Sequence, residues 1–186
     1  MARIVVALPI RGPIDPRDGW YAQRDKGTHQ GMDFSAPVGT PIFAMSAGEV
    51  VLASDKNLTA GTYIIVKHGG ANTGLYSRYL HLSKRIVSKG DSVGMGELIG
   101  YSGNTGTSAA PHLHFDVQGT AEKVRALKKV GLLRSGRKAS GVPGYNIPVE
   151  QIIPGTGDPK KWPLLGGTGG GLFPLAVVAS LVLPFV

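Results

Sequence analysis

Two histidines stand one residue apart in "PHLHF", residues 111–115, in a chain that holds five histidines. Side chains alternate along an extended strand, so His112 and His114 leave one face while Leu113 and Phe115 leave the other, toward a core. Far upstream, "THQGMDF" carries His29 and Asp33 on either side of Gly31. Two imidazoles and a carboxylate make a nitrogen and oxygen donor set that suits Zn²⁺. Three protein ligands leave a fourth tetrahedral position for water, which separates a catalytic zinc from a closed structural one. Zinc held in this way lowers the pKa of its water from about 16 to about 7 and polarises a carbonyl oxygen. His29, Asp33 and one histidine of the pair complete that set. The other histidine is left to take a proton or to stabilise a developing oxyanion. Spacing alone does not divide these tasks between His112 and His114. The chain has no cysteine, which excludes thiolate ligands and disulfides.

The elements that would position these residues are short strands. From Thr40 to Gly100 the sequence alternates β-branched runs (Val50 and Val51, Ile64 to Val66, Ile86 and Val87) with glycine turns such as "SKGD". This is the pattern of a mainly antiparallel β domain. The 28 glycines and 13 prolines agree with many tight turns. Ala121 to Val130 reads as the one helix, with Val124, Leu127 and Val130 at three-residue spacing, Glu122 in its first turn and Gly131 to stop it. Ile4 to Leu8 reads as a first strand, too short for a secretory h-region, so no signal peptide is expected. His68, in "VKHGG", precedes a turn and reads as structural, and Tyr79 and Tyr101 read as sheet residues. Asn104 and Thr105 read as turn residues of the loop before the H-x-H strand.

Three strings, "HQGMDFSAPVGTPIFAMSAGEVV", "YLHLS" and "VSKGDSVGMGELIGYSGNTGTSAAPHLHFDV", resemble the lysostaphin-type (LytM-like) zinc metallopeptidases, which cut peptide bonds in bacterial peptidoglycan. The resemblance runs from His29 to Val117 and rests on H-x-x-x-D, Y-x-H-L and H-x-H in that order. It implies Zn²⁺ as cofactor with ligands His29, Asp33 and His114, and His81 and His112 as non-ligating catalytic histidines. It also implies a small antiparallel β-sheet forming a narrow groove with the metal at its floor. All five residues are kept, so an active zinc endopeptidase is expected. The alternative is a catalytically silent wall-binding or structural module.

Charge and the two ends complete the expectations. Residues 121–140 carry seven Lys/Arg against one Asp/Glu, while residues 1–120 carry 11 against 9, so most of the net charge of +8 is local. Such a patch favours an anionic polymer, and with the resemblance that partner is a wall polymer rather than nucleic acid. Residues 1–120 read as the peptidase domain, 121–140 as a basic helical segment, 141–171 as an extended Pro/Gly-rich arm or linker, and 172–186 as an apolar tail. Leu172 to Val186 has no charge, but as a helix it would reach only about 22 Å against a hydrocarbon core of roughly 30 Å. Partner chains, or partial insertion in a membrane, are its expected contacts. With no export sequence expected, the reading is action outside the cell, at the bacterial wall, as a lysin carried on a particle such as a phage tail.

Overall fold

The computed structural model describes residues 6–10, 23–24, 27–129, 137–138 and 145–149. A short pair, β1 (Gln23–Arg24) and β2 (Gly27–Thr28), leads directly into the histidine at 29. The main elements follow in order: β3 (Met32–Ser35), β4 (Pro41–Phe43), β5 (Gly48–Asn57), β6 (Gly61–His68), β7 (Leu75–Leu82), β8 (Lys84–Arg85), β9 (Ser92–Val93), β10 (Leu98–Tyr101), β11 (His112–Gly119), helix α1 (Ala121–Lys129), β12 (Arg137–Lys138) and β13 (Tyr145–Ile147). All pairings are antiparallel. The large sheet runs β12-β13-β11-β7-β6-β5-β9, and β4, β10 and β8 form a smaller one. The mainly β architecture with one helix is the expected one.

β11 organises the molecule. One of its edges pairs with β7 along six residues, from His114 opposite Leu80 to Gly119 opposite Leu75. Its other edge is shared: β3 covers His112 to Phe115 and β13 covers Val117 to Gly119. Phe34, Leu113, Phe115, Val117 and Tyr79 are fully buried on the inner side of these strands. The alternation that buries them turns His112, His114, Asp33 and Ser35 to the opposite face.

The same core takes in more of the chain than residues 1–120. Val124 and Leu127 of α1, and Ile147 and Val149 around β13, are buried members of its single apolar cluster. Within the stretch expected to be an arm, Tyr145–Ile147 is thus a strand of the main sheet. Of the expected first strand, Ile4 and Val5 lie outside the described residues, and Val6 to Leu8 belong to no strand. Ala7 N–H donates to Met45 C=O, Phe43 N–H to Pro9 C=O, and a single bridge joins Ile10 to Ile42. Pro9 has no N–H to extend that ladder. Apart from residues 145–149, the arm lies outside the described residues, as does the apolar stretch 172–186, and among the described residues no helix is long and apolar enough to cross a membrane.

Candidate metal centre

Pairing of β3 with β11 brings Asp33 directly opposite His114. His29 arrives from the turn before β3, and His29 Nε2, Asp33 Oδ1 and His114 Nδ1 converge within 4.8 Å of one another. The closest separations are 2.8 Å from Asp33 to His114, 2.9 Å between the two imidazoles and 3.1 Å from His29 to Asp33. Gly31 is required at the centre of "HQGMD". A Cβ there would meet the His114 ring at 2.6 Å and the Phe115 carbonyl at 2.8 Å. The side chains of His29 and Asp33 are almost fully buried, and that of His114 is largely so.

This donor set fits zinc. Two imidazole nitrogens and one carboxylate oxygen point at one spot, and the Asp33 carboxyl is held ionised there. Burial opposes that charge, but hydrogen bonds and charge from His114 and His29 hold the carboxyl well below its usual range. Burial likewise disfavours a charged His114. Its contacts with Asp116 and Asp33 outweigh burial and raise the imidazole to about 9. Metal binding at His114 therefore displaces a proton.

The other two histidines are set differently. His112 follows β11 alternation, and its Nε2 stands 3.6 Å from Asp33 Oδ1. His112 Nδ1 donates to the Ala110 carbonyl at 2.8 Å, and Ser108 Oγ lies 3.1 Å from the same nitrogen. His81 breaks the alternation of β7. Leu75, Ser77 and Tyr79 point inward, and regular pleating would send His81 with them. Instead His81 has φ 63°, the one non-glycine residue with positive φ among those described. Such a conformation is costly for a residue with a Cβ and persists where surrounding structure imposes it. Here the Ala60 carbonyl accepts from the His81 N–H at 2.9 Å, and Thr105 C=O accepts from Nδ1 at 2.8 Å. The ring turns out to within 4.8 Å of the His112 ring, centroid to centroid. Burial pushes the His81 imidazole down to about 4. At neutral pH its Nδ1 carries the hydrogen given to Thr105, so Nε2 is left with a lone pair.

A cleft of about 230 Å³ opens over these groups, lined by Asp33, Ser35, His81, His112, His114 and the loop Thr107–Pro111. The five histidine and aspartate residues expected from the sequence therefore gather at one place. Thr105 serves the site from outside the cleft. Its Oγ1 donates to Leu82 C=O and accepts from Thr62 N–H, anchoring the loop whose carbonyl holds His81.

Two residues that the sequence expectations do not include buttress the site. Asp116, buried on the same β11 face, places Oδ2 3.4 Å from His114 Nε2. Arg78, its cross-strand neighbour, grips both carboxylate oxygens at 2.7 to 2.9 Å. The signal was available: H-x-H-x-D continues the two-residue period by one step. A carboxylate behind a ligating imidazole fixes which nitrogen faces the metal.

Comparison with known proteins places this geometry. Residues 27–126, more than half the chain, match the family described as Peptidase family M23. Over 119 residues the chain is 40% identical to peptidoglycan DD-endopeptidase ShyA of Vibrio cholerae, covering 64% of this chain and 27% of that protein. Over 90 residues it is 44% identical to lysostaphin of Staphylococcus simulans, covering 48% of this chain and 18% of the relative. Csd3 of Helicobacter pylori has a similar fold, with a TM-score of 0.51 at 28% identity over 63% of this chain and 32% of that one.

Proposed function

The chain belongs to peptidase family M23, and from that premise we propose that it is a zinc-dependent endopeptidase hydrolysing peptide bonds in bacterial peptidoglycan. One observation carries the reading. His29, Asp33 and His114 converge on one point, and on its open side the His81 and His112 rings line the same cleft. Zinc held by those three residues would polarise the scissile carbonyl and lower the pKa of a bound water. The chain supplies the rest. Carbonyls hold His81 and His112 at Nδ1, so each presents Nε2 to the cleft. These are the proton-handling positions: a proton leaves the attacking water to one Nε2 and returns to the leaving amine. A silent binding module has no use for two imidazoles fixed in this way. The named activities of ShyA and lysostaphin support the substrate class.

Acting on this substrate, the protein would work at the bacterial cell wall. A second contact with the wall runs through α1, which turns Val124 and Leu127 inward and exposes Arg125, Lys128 and Lys129. The helix follows the Gly119 end of β11, the end away from the histidines. An anionic wall polymer bound there would leave the cleft free. Rising salt is then expected to weaken retention on intact walls while cleavage of a short soluble peptide holds steady.

The deciding experiment is mass spectrometry of fragments released from purified peptidoglycan. New amino termini are expected with the zinc-loaded protein and none after chelation. Fragments cut in the glycan strand, or no release at all, would overturn the proposal.

A further inference from the structure

Behind the metal centre a row of polar side chains, buried at its middle, links the two segments that carry its ligands. The row starts at His114, whose Nε2 faces Asp116 Oδ2 at 3.4 Å. Asp116 is gripped by Arg78. With the Gln118 amide oriented so that its oxygen meets donors, that oxygen accepts from Arg78 Nε at 3.1 Å and Nη2 at 3.3 Å, and its nitrogen lies 3.1 Å from Asn146 Oδ1. Asn146 Nδ2 then donates to Gln30 Oε1 at 2.7 Å. Gln30 sits in the chain between ligand His29 and Gly31.

Three inner members are closed off from water, with Asp116 1% exposed, Gln118 0% and Asn146 2%, while the Arg78 side chain is partly exposed. Buried polar groups of this kind cost free energy unless each is paired, and here each has its partner. Register explains how the row forms. Gln118 lies opposite Asn146 across the β11–β13 pair, and Asp116 lies opposite Arg78 across β11–β7. The polar face of β11 therefore continues past the metal ligand into a brace that crosses three strands.

We propose that Asn146 is a positioning residue for the metal centre. Through Gln30 it fixes the turn that carries His29, and through Gln118, Arg78 and Asp116 it is coupled to the orientation of His114. Asn146 lies outside the matched residues 27–126, so the metal affinity of this chain depends on a strand that the family match does not include. A turn already held in its ligating shape loses less freedom when the ion binds, which is the source of the affinity. This rests on the metal site alone, so failure of the peptidoglycan reading would leave it standing.

The test uses the full chain and zinc alone. Asn146→Leu keeps the branched heavy-atom skeleton, with bulkier methyl groups in place of the amide, and removes both hydrogen bonds. Chelator competition is expected to show zinc bound about 10- to 100-fold more weakly, the usual range for groups behind the ligands. The visible absorption bands of the Co²⁺-substituted protein should shift as well. Gln30→Ala, at an exposed position, should weaken zinc in the same direction without touching the core, and the double variant should lose less than the sum of the two. Should Asn146→Leu fail to fold, Gln30→Ala decides alone. Zinc affinity within twofold of the parent together with an unchanged Co²⁺ spectrum in the folded variants would overturn the proposal, whatever happens to thermal stability.

Discussion

His68 and His81 stand at opposite ends of the same strand pair, β6 with β7, and burial pushes both imidazoles down to about 4. Their surroundings differ in one respect. His68 has both ring nitrogens engaged by protein, Nδ1 with Ala47 C=O at 3.2 Å and Nε2 with Ser77 Oγ at 2.9 Å. Ser77 in turn meets Tyr79 Oη, which accepts from Met45 N–H, so the whole group is closed. His81 has Nδ1 engaged by Thr105 C=O, and its Nε2 faces the cleft. A buried, shifted histidine is thus not by itself a functional one. The distinguishing feature is a nitrogen that the protein leaves for substrate or water.

This contrast is sharpened most by removing a ligand. His114→Ala should abolish zinc retention and reduce turnover to background, read by metal analysis of the purified protein beside a peptide-cleavage assay. A smaller but still large effect is expected at the cleft pair. His81→Ala and His112→Ala should keep zinc and lose roughly 10²- to 10⁴-fold in kcat, the range for a positioned proton-transfer group. If either variant kept full activity, the distinction between open and closed histidines would fail at that residue.

The smallest effect lies at His68, and it appears in stability rather than turnover. Its folded-state value of about 4 lies below the ordinary 6.5, so between those values the unfolded chain binds the proton more tightly. His68 therefore contributes stability that is fully present above pH 6.5 and is lost as pH falls toward 4, about 3 kcal/mol in all. His68→Gln should leave kcat at pH 7 near that of the parent. Urea unfolding at pH 7.5 and pH 5 should show a pH effect about 2 kcal/mol smaller in the variant. An equal pH effect in both proteins would mean that His68 is not the closed group described.

Much of the site was legible because it obeys local rules. The two-residue period of "HLHFDV" puts His112, His114 and Asp116 on one face, and the four-residue span of "HQGMD" with its central glycine lets His29 and Asp33 turn toward one point. The same period extends to Asp116, the third member of that β11 face. Thr105 read as a turn former because its sequence neighbours are turn residues. Its carbonyl contact with His81 crosses 24 positions and leaves no local pattern. The stretch containing Asn146 read as linker because glycines and prolines surround a strand of only three residues.

The sequence by itself determined the strand-rich class, the faces of β3 and β11, and the kinds of donor available to a metal, since each follows from residue type and from a period repeated within a few positions. Only the tertiary structure decided that Asp33 stands opposite His114, that His81 turns outward through a positive φ, and that Asn146 reaches Gln30 across 116 positions. Those depend on register and on imposed backbone geometry. Both are fixed by pairing between distant strands rather than by any propensity of the residues themselves.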